Sequence, residues 1–255
     1  MKNKGWSRQE LILAINLYCK IPFGKIHIRN PDIINFASLI GRTPSAVSWK
    51  LVNFASLDPS LQARGISGAK NSSKLDREIW NEFYDNWEEL GFESEKLMAE
   101  YKNEPIEKLA EIFVDDLPKE GKDRKAIVKA RVNQSFFRKN ILSAYSYKCC
   151  ITGISVPDLL IASHIKPWAE DKKNRLNPRN GLCLNALHDK AFDKGWISFS
   201  DEYKLLVSKS LKEAMPENIF ELYFYAYQDK PMKLPNRFLP DIEFLAFHRA
   251  VKFFT

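Results

Sequence analysis

The stretch from Lys148 to Lys209 holds side chains whose types and spacing suit hydrolytic chemistry. Leu160, Ile161 and Ala162 read as a short apolar strand that delivers His164 to its end, and Pro167 stops that strand from continuing. An Asn-Gly pair, Asn180 and Gly181, follows, and beyond a short apolar run a helical segment carries Asp189 and Asp193. The four-residue spacing puts both carboxylates on one helix face, aimed at one point. A histidine at a strand mouth, an asparagine in the connecting turn and oxygen ligands on the next helix are the parts of a metal-dependent phosphodiesterase. Such a site must make hydroxide at neutral pH on one side of phosphorus. On the other side a cation neutralises the phosphate oxygens and the leaving alkoxide.

The elements that must position these groups are a hairpin, which fixes the base, and a helix, which fixes the ion. Downstream, WISFS and KLLVS alternate as two strands turned at Asp201 and Glu202. Upstream, residues 123–146 read as a long helix with Ile127, Phe137, Ile141 and Leu142 at helical intervals, and Arg131, Gln134 and Arg138 share one of its faces. The rest of the chain after the second hairpin reads as mainly helical, including PENIFELYFYA and PDIEFLAFHRAVKFF. His248, on the last amphipathic segment, reads as structural.

At these residues the chain resembles the HNH endonuclease family, whose fold is the ββα-metal finger. The resemblance rests on Cys149 followed by Thr152 and Gly153, on Ser163 to Trp168 (SHIKPW), on Asn180 to Leu182, on Asp189, and on Phe192 to Gly195 (FDKG). It implies that His164 is the general base, that Asn180 holds the loop orienting it, and that Asp189 is the principal metal ligand. Asp193 falls where some members place a second helix ligand. Many members have Asp or His just before the base, where this chain has Ser163, a weak ligand. Either His188 or Asp189 could face the ion, and Asp189 is favoured because it pairs with Asp193 at i, i+4. The run RVNQSFFR also matches a segment that precedes the finger in this subgroup.

Composition sets the wider frame. At 255 residues with 45% hydrophobic content, the chain has room for two domains and a substantial core. It has no run of about 18 apolar residues, and MKNKGWSRQE lacks the apolar core of a signal peptide, so no membrane role and a cytoplasmic location are expected. Cys19, Cys149, Cys150 and Cys183 form no Cys-x-x-Cys pair, which excludes a zinc ribbon or redox motif of that pattern. Cys149 and Cys183 read as buried small hydrophobes. The net charge of +7 is concentrated between residues 121 and 210, around the candidate site, whereas residues 91–120 are acidic. A positive field there suits a polyanionic substrate.

Ser7 and Glu10 form a capping box for a first helix, which ends before Pro22. Asn30-Pro31 and Thr43-Pro44 start two further helices joined by the turn GRTP, a helix-turn-helix candidate. In the second of these, Val47, Leu51 and Phe54 should face the core, leaving Lys50 and Asn53 toward solvent or a groove. GRTPSAVSWKLVNFASLDP resembles the region found ahead of some HNH domains. Residues 60–73 read as a flexible basic loop, and Ser73 caps a helix over KLDREIWNEFYDNWEEL with Leu75, Ile79, Trp80, Phe83 and Trp87 on its apolar side.

The expected fold class is α+β. A helical targeting domain over 1–92 and an acidic linker over 93–120 precede an HNH nuclease domain over 121–255, its ββα-metal finger flanked by helices. The expected function is DNA cleavage with Mg²⁺ or Mn²⁺ in a restriction or defence role, with DNA contacts from Arg42, Lys50, Asn53, Arg131, Gln134, Arg138 and Lys166. A DNA-binding regulator with an inactive finger is the alternative, and an RNA-directed nuclease a third possibility. Because one finger attacks one strand, a homodimer on DNA is expected for double-strand cleavage.

Overall fold

The computed structural model describes residues 5–66, 72–113, 115 and 117–254. The basic loop expected over 60–73 lies partly outside the described residues. The chain is α+β and divides into two compact units, Met1–Ser143 and Ala144–Thr255.

The first unit is helical: α1 (Arg8–Lys20), α2 (Pro31–Leu39), α3 (Pro44–Leu57), α4 (Pro59–Gln62), α5 (Lys74–Phe83), α6 (Trp87–Lys102), α7 (Ile106–Leu109) and α8 (Lys122–Ala144). The start signals act as their chemistry dictates. Ser7 Oγ accepts from the Glu10 amide while the Glu10 carboxylate accepts from the Ser7 amide, and Asn30 and Thr43 cap helices that open on proline. Val47, Leu51 and Phe54 are fully buried, as the spacing on α3 requires. The helix expected from Ser73 through Leu90 is two helices, broken between Phe83 and Trp87. Asp85 and Asn86 compete with helical bonding there, and Asn86 takes a non-helical conformation as the N-cap of α6.

Residues 93–120, acidic and expected to link domains, instead contribute to this unit. Ser94 and Glu95 on α6 accept hydrogen bonds from the buried Asn16 amide at 2.7 and 2.8 Å, and Glu95 also pairs with Lys20. Farther on, Ile112 and Leu117 pack with Val128 and Val132 of α8. The negative charge of this stretch is partly consumed by internal pairing, which a count of charges along the sequence does not reveal.

The second unit carries β1 (Leu160–His164), β2 (Gly181–Asn185), α9 (Ala186–Asp193), β3 (Ile197–Phe199), β4 (Leu205–Val207), α10 (Lys209–Glu213), α11 (Glu217–Tyr223) and α12 (Ile242–Val251). β1 and β2 are antiparallel, with Leu160 opposite Asn185 and His164 opposite Gly181. β3 and β4 form the expected second hairpin. Leu182, Cys183, Leu184, Phe192, Ile197 and Phe199 are fully buried and make the floor on which the site rests. All four cysteines are buried thiols outside any disulfide.

Candidate active site

β1 ends at His164, and the long connection to β2 is held by side-chain amides. Asn180 is fully buried, and its amide is engaged on both sides. Its Oδ1 accepts from the Lys166 amide at 2.8 Å, and its Nδ2 donates to the Lys166 and Asn174 carbonyls, each at 3.1 Å. The Ile165 amide donates to the Asn180 carbonyl at 3.0 Å. One asparagine therefore closes the loop from the residues after the histidine back to the start of β2.

The His164 ring lies edge-on to Trp168, 5.6 Å between centroids, with Nε2 2.8 Å from the Arg175 carbonyl oxygen. A carbonyl only accepts, so Nε2 carries the proton and the neutral ring keeps its lone pair on Nδ1. Burial lowers the pKa of His164, the Arg175 carbonyl opposing it, so the neutral form is favoured. Arg175 is itself fixed, its Nε donating to the Trp168 carbonyl at 2.7 Å.

The helix carrying the carboxylates is placed by the Cys-x-x-Thr-Gly segment. Asn185 caps α9, accepting from the His188 amide at 3.0 Å, while its Nδ2 reaches Thr152 Oγ1 at 3.3 Å and Cys149 Sγ at 3.7 Å. From this cap, His188 and Asp189 diverge. His188 is buried with Nε2 2.8 Å from the Tyr223 carbonyl. Asp189 turns into a cavity of about 280 Å³ that is also lined by Ser163, His164, Pro167, Trp168, Asp193, His248 and Lys252. The structure thus brings His164, Asp189 and Asp193 together.

Burial raises the Asp189 pKa, the Ser163 hydroxyl lowers it by hydrogen bonding, and neighbouring Asp193 raises it. Two like charges converging on one cavity create a demand for positive charge, and all-oxygen donors suit a hard divalent cation. Among the described residues no group of three or more His, Cys, Asp and Glu is clustered for metal binding. Asp189 and Asp193 would hold such an ion with water and substrate oxygens completing its shell. Ser163, expected as a weak ligand, hydrogen-bonds the Asp189 carboxylate.

His248 is structural, as its helix position suggested. It stacks on Phe192 at 3.8 Å, its Nε2 donates to the Phe192 carbonyl (3.0 Å), and Nδ1 of the neutral ring accepts from the Ser198 hydroxyl (2.9 Å). Burial pushes its pKa down to about 4. Phe192 and Gly195 of the FDKG run are therefore packing residues. Gly195 has φ +78°, and a Cβ there would meet the Lys252 carbonyl oxygen at 1.9 Å.

The residues expected to contact DNA fare differently. Lys50 does not point to solvent: it is buried, its Nζ 2.7 and 2.8 Å from the Asp76 carboxylate. Helical spacing gave its direction on α3 but could not show that α5 covers it with an acid. Arg42 is bonded to Glu10 at 2.9 Å and to the Gly5 carbonyl at 2.7 Å, beneath Trp6. Lys166 lies 3.7 Å from Asp171 and over the rings of Phe244 and Phe247. Asn53 is half-buried, whereas Gln134 and Arg138 are exposed on α8, with Arg131 half-buried on the same face. Lys252, which lines the cavity from the far end of the chain, has no signal near the motif that could have found it.

Comparison with known proteins follows this geometry. Residues 149–200 match the family model described as HNH endonuclease. No curated protein matches the chain. One solved structure, titled "Modification dependent TagI restriction endonuclease", aligns at 19% identity and a TM-score of 0.32. The alignment covers 45% of this chain and 36% of that one, so the chain spans about a third of that protein's length. At that level the likeness carries no argument.

Proposed function

Since residues 149–200 match the HNH endonuclease family model, we propose that the chain is a DNA endonuclease, dependent on Mg²⁺ or Mn²⁺ and of restriction or defence type. The observation that supports this best is a single cavity lined by a histidine whose lone pair sits on Nδ1 and by the carboxylates of Asp189 and Asp193. His164 takes a proton from water as that water attacks phosphorus. Asn180 holds the loop on which this base is mounted, and Ser163 orients Asp189. A divalent cation bound by Asp189 and Asp193 would supply charge neutralisation at the phosphate oxygens and the leaving alkoxide. Trp168 and Pro167 wall the cavity and limit water beside the base.

In this reading the first unit targets DNA through α2 and α3 as a helix-turn-helix, Gln134, Arg131 and Arg138 grip phosphates, and two copies act on the two strands. Purified protein incubated with methylated and unmethylated plasmid, with and without Mg²⁺, tests it. Linear or nicked product only with the ion supports the nuclease, and a preference between the plasmids supports restriction. Mobility-shifted but intact DNA under all conditions would instead mark a DNA-binding protein with an inactive finger.

A further inference from the structure

We propose that Lys252, just beyond α12, is a further catalytic residue of this site, the cation that meets the scissile phosphate; the role rests on the nuclease reading above. Lys252 borders the cavity that holds His164 and Asp189 although it comes from the other end of the unit's sequence.

Its placement is built by the motif itself. At the start of α12 the Asp241 amide donates to the Arg179 carbonyl at 3.0 Å and the Asp241 carboxylate pairs with the Arg179 guanidinium at 2.8 Å, next to Asn180. In its middle, His248 stacks on Phe192 with the ring planes 3° apart. At its end, the Phe254 amide donates to the Gly195 carbonyl at 3.0 Å, and the Lys252 backbone occupies the space a side chain at Gly195 would fill. Phe192 and Gly195 thus grip the segment that carries Lys252.

Fold stability does not account for the lysine. Its Nζ lies 3.8 Å from Asp193 Oδ1, outside hydrogen-bond reach, and that carboxylate is 52% exposed, so the pair contributes little. The Lys252 side chain is only 25% exposed, the residue lines the cavity, and its ammonium lies 3.8 Å from Asp193, a loosely placed partner that lines the same cavity. A phosphodiester entering between the base and the carboxylates would offer that ammonium a better anion. As the water oxygen bonds to phosphorus, its proton passes to His164. The ester P–O bond then breaks, with the electron pair leaving on the ester oxygen. Negative charge grows on the non-bridging oxygens meanwhile, and Lys252, keeping its own protons, offsets it.

The test measures single-turnover cleavage of saturating duplex DNA by wild type, K252M, K252R, K252A and H164A, together with melting temperature and duplex affinity in EDTA. K252M should lose about 10²–10³-fold in rate while melting temperature holds and affinity falls by less than about tenfold. K252R, and ethylammonium added to K252A, should recover part of the rate, because the role is a positive charge at one place. K252M cutting within about threefold of wild type while H164A is inactive would overturn the role of Lys252 and leave the nuclease standing. A loss that neither K252R nor ethylammonium recovers would assign Lys252 to packing and overturn it too. If wild type cuts no faster than H164A, the nuclease reading itself falls, and this role with it.

Discussion

His164 Nε2 lies 2.8 Å from the Arg175 carbonyl oxygen, which can only accept, so the proton sits on Nε2, and in the proposed mechanism Nδ1 is the atom that takes the proton from water. Because burial lowers the pKa of this ring below 6.5, with the Arg175 carbonyl opposing it, the neutral form already predominates at pH 6.5. Single-turnover cleavage should therefore rise with pH along a limb lying below 6.5 and level off above it. A limb centred above 6.5 would contradict the assignment. His164→Ala should cut the rate by about 10²–10⁴-fold, with DNA affinity nearly intact.

Asp189 and Asp193 differ in what surrounds them, and the difference predicts unequal effects. Asp189 is partly desolvated and oriented by Ser163, whereas Asp193 is 52% exposed beside Lys194 and Lys252. EDTA should abolish cleavage, and Mg²⁺ or Mn²⁺ should restore it. Asp189→Asn should remove ion-supported activity, while Asp193→Ala should be milder because water can replace an exposed ligand. Full cleavage after exhaustive chelation would refute the metal assignment.

Gly195 is pinned by two independent constraints, a left-handed φ of +78° and the Lys252 carbonyl at 1.9 Å from any Cβ. Gly195→Ala should cost about 2–6 kcal/mol, the sum of backbone strain and forced displacement of neighbouring backbone. Chemical denaturation measures this directly. A variant as stable as wild type would mean that the end of α12 moves away without penalty.

Much of the second unit was legible because its signals are local. Pro167 ends the strand after His164, Asn180-Gly181 starts the next strand, and the i, i+4 aspartates share a face whatever lies around them. What escaped notice depended on contacts distant in sequence. Lys252 reaches the cavity only because α12 folds back on Phe192 and Gly195, and Ser163 finds its partner in Asp189 only once strand and helix meet. The acidic run was misread for the same reason, since Glu95 is paired with Asn16 and Lys20 from the first helix.

Lys50 illustrates the cost of that blindness and yields a prediction of its own. Buried against Asp76, it should govern stability and not sequence choice. Lys50→Ala leaves an unpaired buried carboxylate at the start of α5, a change worth about 3–5 kcal/mol. Asn53→Ala, at a half-buried position, should be nearly neutral for folding. If Lys50→Ala melts like wild type but cleaves at different sites, the residue reaches DNA after all.

Strand polarity bears on assembly. In the proposed mechanism the second unit supplies one base, His164, and one pair of carboxylates, Asp189 and Asp193, and a single site bound in one orientation would attack only one of two antiparallel strands. A two-fold pair of chains would present one site to each strand, while a lone chain would nick twice in sequence. Mixing wild type with His164→Ala chains separates the two arrangements. If chains pair, mixed pairs cut only one strand, so nicked circles should accumulate and linear product should fall faster than the wild-type fraction. Linear product that follows the wild-type fraction in proportion, with no excess of nicked circles, would show that each chain works alone.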